Sequence, residues 1–94
     1  MNTVEQTKDF EKWVAALKDR VARAKILARV RMLQMGNPGK TNSVGKGVAE
    51  MKIDHGPGYR VYFTKKGKTF FLLLCGGDKS TQKADIKKAQ AMIE

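Results

Sequence analysis

Apolar residues near the start of the chain recur with the spacing of an α-helix. Phe10, Trp13, Val14 and Leu17 stand at positions i, i+3, i+4 and i+7, which places them on one face of a helix. Thr7 precedes an acidic first turn, and its hydroxyl suits an N-cap. The pattern predicts a first helix from about Thr7 to Leu17.

A second helical stripe follows directly. It begins after Asp19, a residue suited to the N-cap, and its apolar positions are Ala22, Ile26, Val30 and Leu33. The run Gly36-Asn37-Pro38 ends the pattern, since glycine favours a helix C-terminus and proline cannot continue a helix. We predict a helix from about Arg20 to Met35, which forms a helical hairpin with the first.

The apolar period changes from helical to two after a loop predicted from Gly36 to Gly47. Three strands are predicted, the last of them apolar on both faces and therefore central: Val48 to Ile53, Tyr59 to Phe63 and Phe70 to Cys75. Glycine-containing turns separate them. Ser80 or Thr81 is suited to cap a final helix with an apolar stripe through Ala84, Ile86, Ala89 and Ile93. Asn2 to Gln6 is a further candidate edge strand.

These elements predict an α+β fold in a single domain, residues 1–94, with the N-terminal helical hairpin packed on one face of an antiparallel sheet and a helix at the C-terminus. Strand alternation assigns Ala49, Met51, Ile53, Tyr59, Val61 and Phe63 to the covered face. Lys52, Arg60 and Tyr62 are then expected together on the opposite, solvent-exposed face. Two cations and a phenol at cross-strand distance suit a phosphate group.

Charge narrows the classes of partner. The chain of 94 residues carries a formal net charge of +10, which favours nucleic acid, the ribosome or an acidic protein. No apolar run reaches transmembrane length, and the first residues lack the apolar core of a secretory signal. Cys75 has no cysteine to pair with, which fits a reducing compartment. We expect a cytoplasmic protein that makes no membrane contact.

Few motifs of catalysis are present. His55 and Cys75 are the only residues of their types, so no metal site and no cofactor is expected. His55 stands in a Gly/Pro turn, where a turn role outweighs a role as general base or metal ligand. The segment Gly45-Lys46-Gly47 lacks the spacing of a phosphate-binding P-loop. Any catalysis must therefore use lysine, arginine and a nucleophile that the substrate supplies.

Three segments of the chain contain recognisable motifs. Residues 10–37 begin with Phe10-x-x-Trp13-x-x-x-Leu17-Lys18-Asp19, residues 44–63 contain the run Gly-Pro-Gly-Tyr-Arg-Val-Tyr-Phe, and residues 73–89 contain Gly-Gly-Asp-Lys-Ser-Thr-Gln. Together they resemble the addiction-module killer proteins, which are HigB-like toxins of the RelE/ParE superfamily. The resemblance implies a microbial-ribonuclease-like fold and ribosome-dependent cleavage of mRNA. It also implies partners, namely mRNA on the ribosome, rRNA and a cognate antitoxin protein.

The resemblance also implies roles for individual residues. Arg60 matches the strand arginine that these toxins use at the scissile phosphate, while Lys52 and Lys79 match basic positions of their active site. We take Arg60, Lys79 and Lys52 as candidate catalytic residues. The candidate RNA-binding residues are Tyr62, Gln82, Lys83, Lys46 and Arg29.

Several alternatives remain open at this stage. Tyr62 either stacks on a base or is a half-buried sheet residue, Gln82 either contacts RNA or begins the last helix, and the arginines of the second helix either meet a partner or face solvent. The tyrosine or histidine that several relatives use near the C-terminus has no counterpart, since the region reads Ser80-Thr81-Gln82-Lys83. The general acid and base are therefore unassigned, and a ParE-like inhibitor of DNA gyrase is the alternative function.

Overall fold

The computed structural model describes residues 2–93 and places three α-helices and five β-strands in that range. In chain order the elements are β1 (Thr3–Gln6), α1 (Lys8–Ala16), α2 (Arg20–Gln34), β2 (Thr41–Gly45), β3 (Val48–Ile53), β4 (Tyr59–Lys66), β5 (Phe70–Gly77), a short 3-10 helix (Lys79–Thr81) and α3 (Gln82–Ala91). The α+β class predicted from the sequence is confirmed.

The predicted starts of the first two helices are also confirmed. The Thr7 hydroxyl accepts a hydrogen bond from the Phe10 amide, and an Asp19 carboxylate oxygen accepts from Val21 and Ala22. Each cap satisfies amide groups that have no partner within the helix. The third helix begins differently, because Thr81 at its N-cap makes no side-chain bond and Asp78 caps the preceding 3-10 helix instead.

The sheet is mixed rather than antiparallel. Its order is β1-β5-β4-β3-β2, and β1 runs parallel to β5, with Thr3 opposite Phe70. The predicted edge strand near the N-terminus is therefore present, and it precedes the first helix.

The prediction of an unbroken loop from Gly36 to Gly47 was wrong, because Thr41–Gly45 pairs with β3. That strand is polar and lies at the sheet edge, so it carries little hydrophobic alternation.

Helices α1 and α2 cover one face of this sheet. Phe10, Ile26 and Leu33 pack there against apolar residues of the central strands, among them Met51, Ile53, Val61, Phe63 and Leu73. The face assigned from strand alternation is confirmed for Met51, Ile53, Val61 and Phe63. The structure does not confirm the predicted helical hairpin on a sheet, since a strand comes first and the helices contact the sheet separately, α1 at β5 and α2 at β1 and β3.

Helix α3 covers the opposite face, which corrects the expectation that this face is exposed to solvent. Ala89 packs there with Val48, Tyr62, Leu74 and Cys75. Because β5 is apolar on both faces, a sheet with one uncovered face would expose Leu74 to water, which is unfavourable. The apolar stripe of α3 covers this side chain. No helix among residues 2–93 is long and apolar enough to cross a membrane.

Candidate functional site

A polar cleft opens where β3 and β4 are joined by a tight turn and β5 enters the 3-10 helix. Its volume is about 440 Å³, and it is lined by Lys52, Asp54, His55, Gly56, Pro57, Gly58, Arg60 and Lys79. Four of these eight residues are of basic types, namely the two lysines, the arginine and the histidine. The three candidate catalytic residues from the sequence, Arg60, Lys52 and Lys79, therefore line one cleft.

Strand register explains why two of these residues meet. Lys52 lies directly opposite Arg60 on the antiparallel pair β3–β4, and Arg60 lies opposite Gly77 at the end of β5. Directly opposed side chains have Cβ atoms about 5 Å apart. Lys79 follows Gly77 by two residues, and its backbone amide donates to the Pro57 carbonyl at 3.3 Å. This bond holds the corner after β5 against the β3–β4 turn.

Arg60 forms the floor of the cleft and is only 6% exposed. One terminal nitrogen donates to the Gly58 carbonyl at 2.7 Å, and Nε lies 3.4 Å from a carboxylate oxygen of Glu50 without forming a hydrogen bond. The prediction of a solvent-exposed arginine was wrong, because α3 covers this part of the sheet. The guanidinium is consequently held in place before any ligand binds. Glu50 already neutralises part of its charge, which weakens its attraction for an anion.

Glu50 is a buried residue that the sequence analysis missed. It is 5% exposed and accepts a hydrogen bond from the Gln82 side chain at 2.9 Å, in addition to its contact with Arg60. An isolated glutamate in an alternating strand ordinarily indicates a solvated face. Its partner Gln82 is more than thirty residues away in the sequence, so only the packing of α3 on the sheet reveals the pair.

Lys52 and Lys79 are exposed at the rim of the cleft. Lys52 Nζ lies 3.6 Å from an Asp54 carboxylate oxygen, and both side chains are well exposed, so this ion pair is weak. Lys79 follows Asp78, whose carboxylate accepts from the Ser80 amide at 2.8 Å. Hydrogen bonds from the side chain and backbone of Ser80 lower the pKa of Asp78. The corner that carries Lys79 is thereby ordered, while the lysine ammonium faces solvent.

His55 lines the same cleft, but its ring nitrogens point towards α2. Nε2 lies 2.8 Å from an Asp19 carboxylate oxygen, and Nδ1 lies 3.5 Å from Lys25 Nζ. The pKa of Asp19 is lowered, chiefly by the hydrogen bond from the Ala22 amide and then by His55. His55 therefore ties the β3–β4 turn to the start of α2. The two partners are 36 residues apart along the chain, so no local pattern in the sequence indicates this pair.

Three of the five candidate RNA-binding residues are held within the fold by contacts with other parts of the chain. Tyr62 is fully buried, so the prediction that it stacks on a base was wrong. Gln82 binds Glu50. The Arg29 guanidinium donates to the carbonyls of Lys52, Pro38 and Lys40 at 3.0, 3.2 and 3.3 Å, which pins the loop before β2 to the end of β3.

The other two candidates are exposed but differ in position. Lys83 lines a neighbouring cleft together with Lys79. Lys46 lies at the tip of the β2–β3 turn, with a backbone φ of 55°. The turn lies at the start of β3, whereas Lys52 lies near its end. At the rise per residue of a β-strand, Lys46 and Lys52 are about 20 Å apart. The structure thus separates Lys46 from the cleft.

Two adjacent glycines allow the end of β5 to be covered on both sides. A Cβ atom on Gly76 would overlap the Trp13 ring of α1, and one on Gly77 would overlap the Asp85 carboxylate of α3. Successive strand residues face opposite sides of a sheet, so each glycine admits a different helix. The pair therefore has a packing role that sets the position of the Asp78-Lys79 corner.

Cys75 does not add a nucleophile to this site. Its side chain is 3% exposed beneath α3, and burial raises the pKa of the thiol to about 11. A thiol with this pKa is protonated at neutral pH and unreactive. Among residues 2–93, no three histidine, cysteine, aspartate or glutamate side chains form a group that could hold a metal ion.

Comparisons with known proteins identify the family. The model of the phage-derived protein Gp49-like family matches residues 12–93, and the chain belongs to that family. An uncharacterized protein of Haemophilus influenzae (strain Rd) is 46% identical over 91 residues, covering 97% of this chain and 92% of the relative. The matched range includes α2, all of the cleft residues and α3.

Proposed function

We propose that this chain is a HigB-like toxin of the RelE/ParE superfamily, the toxic half of a type II toxin–antitoxin pair, and that it cleaves mRNA on the ribosome. The observation that carries the proposal is the convergence of Lys52, Arg60 and Lys79 on one open cleft in a chain with a net charge of +10. The resemblance of the sequence to the killer proteins, which implies a microbial-ribonuclease-like fold, supports it further.

The chemistry follows from what RNA brings to the cleft. RNA carries its own nucleophile, the 2′-hydroxyl, so the protein must align the phosphate, stabilise its developing charge and move two protons. Arg60 is fixed on the cleft floor as the phosphate ligand. Lys52 and Lys79 at the rim supply charge, whereas the ring nitrogens of His55 contact Asp19 and Lys25. The proposed reaction needs no metal ion or cofactor.

Lys79 offers a way to separate charge from proton transfer. If Lys79 acts only through charge, Lys79→Arg retains activity and Lys79→Ala loses it. If Lys79 transfers a proton, both variants fail, because a guanidinium does not deprotonate at neutral pH. Activity of both variants equal to that of the parent removes Lys79 from the site. The measurement is the rate of mRNA cleavage on purified ribosomes.

The antitoxin partner has a suitable surface on α2. Val21, Leu27 and Met35 are 55%, 49% and 69% exposed, and a groove of about 320 Å³ on the outer face of the helix is lined by Ala24, Leu27, Ala28, Arg31, Met32 and Met35. An apolar groove lined by Arg31, on a chain with a net charge of +10, fits an acidic amphipathic segment. We propose that the cognate antitoxin covers this face. Leu27→Asp is then expected to abolish co-purification with the product of the neighbouring small reading frame.

Primer extension on cellular mRNA after induction tests the proposed function. Discrete cuts within translated codons, absent when translation is blocked, are the expected result and agree with a toxin that acts on ribosomes in the cytoplasm. Intact mRNA with relaxed plasmid or broken chromosomes would instead establish the ParE-like gyrase inhibitor. Lys68→Gln, which removes a charge at the β4–β5 turn, serves as the matched control for variants of the cleft.

A further inference from the structure

The turn that joins β3 to β4 forms one wall of the cleft and is held from several sides. Its Pro57 carbonyl accepts from the Lys79 amide at 3.3 Å, and its Gly58 carbonyl accepts from a terminal nitrogen of Arg60 at 2.7 Å. The side chain of His55 at the start of the turn reaches α2. Within the turn, the Gly58 amide donates to the His55 carbonyl at 3.1 Å. Movement of His55 would therefore shift the carbonyls that hold Arg60 and Lys79.

The contacts of the His55 ring assign its tautomer. A lysine ammonium only donates hydrogen bonds, and an ionised carboxylate only accepts them. Nδ1 therefore accepts from Lys25 Nζ at 3.5 Å, and Nε2 carries the proton and donates to Asp19 at 2.8 Å. The neutral imidazole thus links a cation of α2 to the carboxylate at the N-cap of the same helix. We call this arrangement the Lys25–His55–Asp19 bridge.

Asp19 uses its two carboxylate oxygens for different contacts. Oδ1 accepts from the amides of Val21 and Ala22 at 3.0 and 3.1 Å and caps α2, while Oδ2 accepts from His55. The side chains of His55 and Asp19 are 24% and 41% exposed, so the pair is partly shielded from water. Since Ile26 anchors α2 in the core, the bridge fixes the turn relative to the body of the protein.

We propose that Asp19 and His55 are positioning residues for the reaction, because they fix the β3–β4 turn and, through it, the guanidinium of Arg60. The proposal rests on the function proposed above, in which Arg60 is the phosphate ligand. A guanidinium stabilises the transition state only where the charge develops, so release of the turn from α2 lowers the rate of the chemical step and not the affinity for the ribosome. Both ring nitrogens of His55 are engaged by α2, so the histidine acts through the turn and not by proton transfer.

Asp19→Asn breaks the bridge while it keeps the helix cap. Asparagine caps a helix as well as aspartate does, so the midpoint of urea unfolding should be unchanged. With its oxygen at the cap, the asparagine nitrogen faces another donor, and the ring then loses either the bond at Nε2 or the bond to Lys25. We expect kcat for mRNA cleavage on purified ribosomes to fall about ten- to a hundredfold, with KM unchanged.

Asp9→Asn is the matched control, since it removes the same charge at the start of α1, away from the turn. It should retain the parental kcat and KM. Equal kcat values for Asp19→Asn and Asp9→Asn would overturn the proposal.

Substitutions of His55 separate positioning from proton transfer. Glutamine places a donor close to the position of Nε2 but does not titrate at neutral pH. His55→Gln should therefore keep most of the parental kcat, whereas His55→Ala should lose as much as Asp19→Asn. A loss in His55→Gln as large as that in His55→Ala would overturn the proposal.

Amide hydrogen exchange tests the bridge without any cleavage. The amides of Gly58 and Lys79 are bonded to carbonyls of the turn, so both should exchange several-fold faster in Asp19→Asn than in the parent or in Asp9→Asn. Unchanged exchange would overturn the proposal. Faster exchange, together with a parent protein that cleaves no mRNA, would refute the proposed function alone. Faster exchange with an unchanged kcat would refute the positioning role alone.

Discussion

The two faces of the sheet are both buried, yet they are built from different chemistry. The face under α1 and α2 is apolar throughout, with Phe10 at 0% exposure and Met51, Val61 and Leu73 around it. The face under α3 combines Tyr62 and Leu74 with the buried charges of Glu50 and Arg60. The first face stabilises the fold, and the second also positions a charge at the edge of a cleft. Burial alone therefore does not distinguish a structural face from a functional one.

Phe10→Ala should produce the largest loss of stability on the apolar face. Removing a fully buried phenyl ring leaves a cavity and costs about 3–5 kcal/mol. Urea unfolding measures this loss. The rate of mRNA cleavage on purified ribosomes per folded molecule should be unchanged, because Phe10 belongs to the core under α1 and α2 and does not line the cleft. A lower rate per folded molecule would show that the two faces are coupled.

Arg60→Ala should affect both stability and activity. It leaves Glu50 buried without its cation, which costs about 3 kcal/mol, and it removes the fixed phosphate ligand, which lowers the rate of cleavage about a hundredfold. An arginine on a solvent-exposed face, as expected from strand alternation, would have left the stability nearly unchanged. The double variant Glu50→Gln/Arg60→Ala should regain most of the stability and none of the activity. Recovery of activity would exclude Arg60 from the reaction.

Gly76→Ala and Gly77→Ala compare the two faces at adjacent positions. Each added methyl group overlaps a side chain, so each variant should lose about 1–3 kcal/mol of unfolding free energy. Only Gly76→Ala should change the fluorescence of Trp13, because Gly77 faces Asp85. A fluorescence change of equal size in both variants would contradict the assignment of the two glycines to opposite faces.

Tyr62→Phe should have the smallest effect at neutral pH, within about 1 kcal/mol, since the buried hydroxyl has no hydrogen-bond partner. Burial, followed by the nearby charge of Glu50, raises the pKa of Tyr62 above its usual value near 10. As the pH rises, the tyrosine hydroxyl therefore deprotonates in the unfolded chain before it does so in the folded protein. Its contribution to the free energy of unfolding is fully present below about pH 10 and decreases as the pH rises further. Tyr62→Phe should remove that alkaline loss in urea titrations, whereas an unchanged pH dependence would contradict the burial of Tyr62.

The sequence predicted the first face better than the second for a physical reason. Apolar periodicity identifies positions such as Ile26 and Val61 because burial there requires only hydrophobicity. The same alternation marked Arg60 and Tyr62 as exposed, since it cannot foresee a helix that covers polar residues and supplies a partner such as Gln82. Strand β2 was missed because an edge strand with one paired side needs little apolar character.

The candidate site was predicted in part for a similar reason. The proximity of Lys52 and Arg60 follows from the cross-strand register, which the short hairpin between β3 and β4 determines locally. The contacts of His55 with Asp19 and of Arg29 with Lys52 join elements that are more than twenty residues apart. Their geometry depends on how α2 packs on the sheet, and no local pattern in the sequence encodes that arrangement.

The most direct test of the central claim is the cleavage rate of a defined mRNA on purified ribosomes by three charge-matched variants. Lys52→Gln and Lys79→Gln change the cleft, and Lys46→Gln removes the same charge at the far turn of β3. We expect each cleft variant to lower the rate on the order of a hundredfold and Lys46→Gln to retain the parental rate. Equal rates for all three variants, or a loss confined to Lys46→Gln, would contradict it.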